Sequence, residues 1–358
     1  MHIVVLGSGV VGLSTALQLL DKDNTHHVTI IADAIPGDDK TGQAHWASPW
    51  AGAQHVSFAS QDDPRQLALD RATFKAMWEM SATGSETARF FMRLKQTEYY
   101  RFVPEEIAQR NSSLDVMPDF RYLDENELKF HDEAKAGIEF TTVTVDVPNY
   151  LLWLKERFLA RGGTLVRARI LNGAYTATPV DALVVCAGLG ARFLGGVEDK
   201  SVFPIRGQTV LIRAPWVDFG ATLSGGPHHV PGADVEHPPV YIIPRPSGDV
   251  ILGGVMEPDD WYPLPRPETT ADILSRALVL APQLAPPNGP AKLKALVIEE
   301  GCGLRPGRHG GIRLEVDDSR ADGKIVVYNY GHAGQGYQSS WGSAIEATRL
   351  LESALAKR

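Results

Sequence analysis

Cysteine is nearly absent, with Cys186 and Cys302 the 2 in a chain of 358 residues. That excludes a disulfide framework and a cysteine-built metal centre, and it suits a reducing compartment. Positive charge is in deficit, 35 Lys and Arg against 43 Asp and Glu, for a formal charge of −8. With no basic excess to neutralise phosphates, nucleic acid is excluded as the main partner, and an anionic substrate must be met by individually placed cations. Long apolar runs are missing as well. The opening MHIVVLGSGVVGLSTALQLL is interrupted by Ser8 and Ser14 and lacks the basic lead of a secretory signal. Nothing else approaches the roughly 18 uninterrupted apolar residues of a membrane span, so no membrane partner is expected. The chain also lacks internal repeats, a Gly-x-Ser-x-Gly elbow, a phosphate-loop lysine and any His/Asp/Glu set at metal-ligand spacing.

What is present is an ordinary globular composition, 44% hydrophobic, long enough for two domains or for one α/β unit with an inserted lobe. Residues 2–6 (HIVVL) read as a strand, 10–20 as an amphipathic helix and 27–33 (HVTIIAD) as a second strand, a βαβ unit. Residues 34–65, rich in Gly, Pro, Ser and Asp, read as a long functional loop. Helices are expected over 64–80 and 86–96, a strand over 138–147, a helix from Pro148 to Arg161, and core strands over 163–168 and 181–187. A β-rich stretch follows, with strands over 208–213, 239–245 and 249–255, then a helix over 268–281, a strand over 324–330 and a last helix from Gln335 to Lys357. Strands that complete a nucleotide-binding sheet thus occur at both ends of the chain. The expected fold class is α/β: a Rossmann-like domain over 1–75, 140–200 and 300–358, interleaved with a β-rich substrate-binding domain over 76–139 and 201–299.

Three motifs carry chemistry. The first is Gly7-Ser8-Gly9-Val10-Val11-Gly12, after a strand and opening a helix. The glycines allow a tight turn, close approach of a pyrophosphate and close helix packing, and the helix N-terminus offers free N–H groups. Asp33 ends the second strand about 20 residues on, where a carboxylate accepts from ribose hydroxyls and disfavours a 2′-phosphate. The second motif, Cys186-Ala187-Gly188 after a buried strand, gives the cofactor another stretch of close backbone. The third is Tyr330-Gly331-His332-Ala333-Gly334-Gln335-Gly336-Tyr337-Gln338, which aims a second helix N-terminus at the same region. A flavin gains negative charge on reduction, which a helix dipole stabilises, whereas nicotinamide becomes neutral, so this motif favours FAD over NAD.

Further runs make the chain recognisable. Ala47-Ser48-Pro49-Trp50-Ala51-Gly52-Ala53, Ile205-Arg206-Gly207-Gln208, Val240-Tyr241-Ile242-Ile243-Pro244-Arg245, Gly253-Gly254, Trp261 and Gly303-Leu304-Arg305-Pro306-Gly307-Arg308 occur in one order over nearly the whole length. In these the sequence resembles the D-amino-acid oxidase family, fungal branch, with the related D-aspartate oxidases sharing most of them. The resemblance implies that Arg305 clamps the substrate α-carboxylate, Tyr241 donates to it, and Gly334 accepts from the amine through its carbonyl. It implies that Gln338, with Gly331, Gly336 and Tyr337, and with Arg305 and Gly334 themselves, borders the cofactor. It extends the cofactor cradle to Thr41, Gln43, Ser48, Ala51, Gly52 and Val145, beside Ala187 and Gly188, and Val143 is the alternative to Val145 on the same strand. His55, Met256 and again Gln338 complete the substrate pocket. Met256 stands two residues past Gly254, where the resemblance implies a side chain that bonds the substrate, and a thioether can only pack there.

The residues agree for the central pair, because a guanidinium forks onto a carboxylate and fixes position and plane together. Arg213, Arg245, Arg308 and Arg313 are expected to be structural or surface arginines. His26 and His27 are expected at the surface and His228 and His229 in a solvated loop. The expected activity is FAD-dependent oxidation of D-amino acids by hydride transfer from Cα to flavin N5, with dioxygen as acceptor and a 2-oxo acid, ammonia and hydrogen peroxide as products. A D-aspartate oxidase is the alternative, with His55, His228, His229 or Arg245 supplying the cation, and a dinucleotide-binding redox sensor the distant one. A neutral or broad substrate range is favoured because Met256 is apolar. A homodimer is left open. The resemblance implies a peroxisomal location, but the chain closes on Ala356-Lys357-Arg358 without a Ser-Lys-Leu address, so the cytoplasm is the other expectation.

Overall fold

The computed structural model describes residues 1–129, 131–171, 180–224, 238–286, 292–317 and 324–357. His228 and His229 lie outside the described residues. Two sheets organise the chain. The first joins β1 (His2–Leu6), β2 (His27–Ala32), β6 (Thr164–Arg167), β7 (Ala182–Val185), β14 (Arg313–Val316) and β15 (Ile325–Tyr330) in the order β14-β15-β7-β1-β2-β6. All neighbours are parallel except β14 and β15. Its central strands are β-branched and buried on both faces, as a parallel sheet covered by helices requires. The covering helices include α1 (Val10–Lys22), α5 (Val147–Ala160) and α7 (Ser340–Leu355). On α1 the buried positions Leu13, Ala16, Leu17 and Leu20 repeat at helical spacing and face this sheet.

The second sheet is larger. It holds β3 (Phe91–Tyr100), β4 (Arg121–Tyr122), β5 (Ala136–Val145), β8 (Val202–Arg213), β9 (Phe219–Ser224), β10 (Val240–Pro244), β11 (Asp249–Gly253), β12 (Glu257–Pro258) and β13 (Val297–Arg308). The path runs β12-β8-β11-β10-β9-β3-β5-β4, and β13 lies along β8 for almost its whole length. Helix α6 (Pro267–Leu280) seals one face with Ile273, Leu274, Ala277 and Leu280. Helix α2 (Pro64–Met80) packs on α7, and α3 (Glu105–Ala108) and α4 (Glu125–Leu128) are single turns.

The chain therefore enters the first sheet three times and the second twice. Two strands fall where the sequence reading drew its boundaries differently. Strand β5 belongs whole to the larger sheet, and β13 carries that sheet to residue 308. The expected helix over 86–96 is not one. Residues 88–90 make a 3-10 turn and β3 follows. Its Met, Leu, Lys and Gln favour a helix locally, but ten residues pair with β5 and six with β9, and tertiary pairing overrides propensity. Strand β13 was not expected either, since its three glycines and one proline mask a strand signal. The last helix begins at Ser340, five residues past the expected start, because a 3-10 turn at Ala333–Gln335 intervenes.

Candidate active site

Between the sheets lies a cavity of about 760 Å³, walled by residues of both. Its nucleotide end is built by the β1–α1 turn. Gly7 has φ +108°, and a Cβ there would strike the carbonyl oxygen of Cys186. A Cβ on Gly12 would strike the carbonyl of Gly7, so this glycine packs the helix onto the turn and does not itself line the cavity. Gly9, Val10 and Val11 do line it. The Val10 N–H, at the helix start, donates to Ser48 Oγ at 3.0 Å. Asp33 lines the cavity past the end of β2, with one carboxylate oxygen accepting from the Ala34 N–H at 2.9 Å. Ala187 and Gly188 follow β7 into the same wall. A backbone cradle without Cβ atoms, a helix N-terminus and a carboxylate at ribose distance in sequence fit a dinucleotide with an unphosphorylated 2′-hydroxyl. Cys186 lines the wall too, but its thiol stays protonated, since burial pushes it up to about 12, and it points to Thr15.

The other end is built on the larger sheet. Arg305 stands on β13, and its guanidinium lies over Gly207 of the neighbouring β8, where a Cβ would displace it. Its Nη1 donates only to carbonyl oxygens, those of Val255 at 3.1 Å and Arg206 at 3.4 Å. Arg206, one position along β8, is the contrast: fully buried, it is bound to Glu257 at 2.5 Å and Gln208 at 2.9 Å. Arg206 is structural; Arg305 has an ionic valence to offer. Tyr241 on β10 leans its ring over Gly253 and Gly254, which have no side chain to obstruct it. Gly334 closes the space, since a Cβ built there would lie 3.8 Å from Arg305 Cδ. Gly331, with φ +86°, turns the chain out of β15 into this loop, and the Tyr337 hydroxyl ties it to the Ser48 carbonyl at 3.1 Å.

Of the residues expected at the site, Gly7, Gly9, Val10, Val11, Asp33, Gln43, Ser48, Ala51, Gly52, Ala187, Gly188, Tyr241, Met256, Arg305, Gly331, Gly334, Gly336, Tyr337 and Gln338 all line the cavity. Four do not. Thr41 is exposed, its N–H turned to Asp39 at 2.8 Å. Gly12 is a packing residue. Val145 is buried in the core with Val143, and both act through backbone bonds that hold Ala53 and His55. His55 is the instructive one. Gln54 and Val56 face the cavity, so His55 between them points away, with Nε2 3.0 Å from the Asp70 carbonyl and its ring 5.1 Å from Phe74. Burial pulls its pKa down to about 4, so it is neutral. It cannot supply a cation to a substrate. Arg245 is a structural arginine, buried and bonding the Ala51 carbonyl at 3.0 Å. Arg213, Arg308 and Arg313 are paired with Asp249, Asp199 and Glu315.

Sequence reasoning missed other wall residues: Gln54, Glu98, Thr209, Thr222, Ile243 and His332. The signal for Glu98 was alternation, since Leu94, Gln96, Glu98 and Tyr100 are buried while Arg93 and Lys95 are not. His332 is held to about 4 by burial and is neutral as well.

A dinucleotide cradle opening directly onto an arginine that has no carboxylate partner among the described residues is the site of an oxidoreductase that binds a dinucleotide cofactor. Residues 2–350 match the family model DAO, FAD dependent oxidoreductase, and the chain belongs to that family. It is 36% identical to a D-aspartate oxidase of Cryptococcus neoformans var. grubii, over 98% of this chain and 96% of the relative. It is 34% identical to a D-amino-acid oxidase of Schizosaccharomyces pombe, over 97% and 95%. Among solved structures, glycine oxidase from Geobacillus kaustophilus shares the fold with a TM-score of 0.72 at 18% identity, over 98% of this chain and 94% of that one. The cofactor is FAD.

Proposed function

We propose that the protein oxidises the α-amino group of D-amino acids, and that one observation carries this reading: Arg305, free of any carboxylate among the described residues, lies beside Gly334 at the mouth of the flavin cradle. Arg305 forks onto the substrate α-carboxylate and Tyr241 donates a further hydrogen bond, which together fix the plane of the carboxylate and the direction of the Cα–H bond. The Gly334 carbonyl accepts from the amine and orients its lone pair. Bound FAD supplies the two-electron acceptor that the wall itself lacks. Among the described residues at the clamp none is suited to act as a strong base: burial holds the His332 pKa down to about 4, which leaves its imidazole only weakly basic. The chain contributes alignment and exclusion of water, the imino acid product hydrolyses to a 2-oxo acid and ammonia, and dioxygen is the acceptor. The relatives named for D-amino acids and for D-aspartate support the stereochemistry.

The test is anaerobic titration of the purified yellow protein. D-Alanine should bleach the flavin absorbance and yield pyruvate, and L-alanine should not. Bleaching by neither enantiomer, nor by any other D-amino acid, would remove the proposal.

A further inference from the structure

The two side chains assigned to the substrate carboxylate are held differently. Arg305 has hydrogen bonds of its own, to the carbonyls of Val255 and Arg206. The Tyr241 hydroxyl has none among the described residues. Packing alone sets its direction. The ring rests on the backbone of Gly253 and Gly254, and a Cβ on either glycine would strike it. A shift of that backbone therefore moves the hydroxyl.

The two glycines lie at the open end of a hairpin. Strands β10 and β11 are antiparallel, with Tyr241 opposite Gly253, and the chain turns between them at Arg245–Gly248. At the other end Pro239 leads into β10 and Gly254 leads out of β11. One backbone bond spans them there, from the Gly254 N–H to the Pro239 carbonyl at 2.9 Å. The ladder cannot return a bond to the Gly254 carbonyl from Pro238 or Pro239, because proline has no N–H.

Arg276 supplies the missing donors. It stands on α6, which covers the face of the sheet turned away from the cavity: Val240 and Ile242 pack with that helix, whereas Tyr241 and Ile243 line the cavity. Arg276 Nη2 donates to the Gly254 carbonyl at 3.2 Å, and Nη1 to the carbonyls of Pro238 at 3.2 Å and Pro239 at 3.1 Å. Asp272, one helical turn back, accepts from Nε at 2.8 Å and lies 2.6 Å from Nη2, which fixes the plane of the guanidinium. One side chain thus ties both strands together beside Tyr241 while lying outside the cavity wall.

Resting on the proposed function, we infer that Arg276 is a positioning residue for the substrate carboxylate: from behind the sheet it fixes the Gly253–Gly254 backbone, and through it the direction in which the Tyr241 hydroxyl donates. An arginine that only stabilised the hairpin would act on the clamp equally with or without that hydroxyl. One that works through the hydroxyl has nothing left to act on once the hydroxyl is removed.

A double-mutant cycle separates these cases. Wild type, Arg276→Met, Tyr241→Phe and the double variant are titrated as flavin-replete holoenzymes with propionate, a carboxylate without an amine, following the visible flavin spectrum. KM for D-alanine is measured beside it. Arg276→Met keeps an apolar stem and removes the donors. It should weaken propionate binding and raise KM by about two- to tenfold, no more than Tyr241→Phe does, and the double variant should match Tyr241→Phe within about 1.5-fold. Equal factors for Arg276→Met in the two backgrounds, or no effect in either, overturn the inference. If Arg276→Met does not fold, Arg276→Lys goes through the same cycle with the same outcomes, since a compact ammonium keeps the charge beside Asp272 but cannot span carbonyls on both strands. The proposed function is decided separately, by whether the wild type oxidises D-amino acids at all.

Discussion

The guanidinium of Arg305 occupies the space where a side chain on Gly207 would begin. The two residues lie on neighbouring antiparallel strands, Gly207 opposite Gly303 and Arg305 two places on. The bare backbone of one strand is thus the bed for the side chain of the next. Because the displaced atoms are the far end of a flexible side chain, Gly207→Ala should fold and keep its flavin while moving the clamp. KM for D-alanine should rise by about tenfold or more, an effect of about 1–3 kcal/mol on a charge-assisted contact. Unchanged KM in a flavin-replete variant would contradict this geometry.

The clamp and its helper differ in kind. Arg305→Leu leaves a buried anion without its partner and should lower kcat/KM by roughly 3–5 kcal/mol of transition-state binding. Tyr241→Phe removes one hydrogen bond and should cost about 0.5–1.5 kcal/mol. Steady-state kinetics on D-alanine decides it; an equal or larger loss from the tyrosine would reverse the roles.

At the nucleotide end, a Cβ on Gly9 would lie 2.9 Å from Ser48 Oγ, inside the space where a pyrophosphate meets the helix N-terminus. Gly9→Val should therefore purify without visible flavin absorbance while keeping the far-ultraviolet circular dichroism of the wild type. Full flavin content in this variant would place the cofactor elsewhere.

Behind the site, pH should act through opposed groups. Burial raises the Asp70 carboxyl to about 7, against hydrogen bonds from Ser57 at 2.6 Å and Gln66 at 2.7 Å. A raised acid favours the fold while protonated, so its stabilisation is present below its unfolded pKa and is lost as pH rises towards about 7. His55 and His332, lowered to about 4, favour the fold while neutral, so theirs is present above about 6.5 and lost as pH falls towards about 4. Asp70 thus offsets the histidines on the acid side. In Asp70→Asn the fall in Tm between pH 6.5 and pH 4.5 should be steeper than in the wild type; parallel Tm curves would rule this out.

The parts of the fold that could be read in advance are those whose local signals agree with their tertiary setting. The βαβ unit is one: Ile3 to Leu6, Leu13 to Leu20 and Val28 to Ile31 are patterned as strand, helix and strand, and they are so in the structure. Arg305 and Tyr241 were legible through the family resemblance. Strand β3 was not, because Met92, Leu94, Lys95 and Gln96 are helix formers held extended by strands 45 and more than 120 residues further along. Misreading it hid Glu98. His55 failed for a smaller reason: a single residue of register in an extended loop decides whether a ring faces the cavity or the core.

Because the chain passes between the two sheets four times, and because β13 carries Arg305 straight on to β14 of the first sheet, neither sheet corresponds to one stretch of sequence. A half taken from a relative cannot be spliced in at a single junction. Each exchange would need several simultaneous joins. Divergence of substrate range within such an architecture is therefore confined to point replacements along the strands, and laboratory recombination should prosper by swapping wall side chains in place, with blocks of sequence left whole.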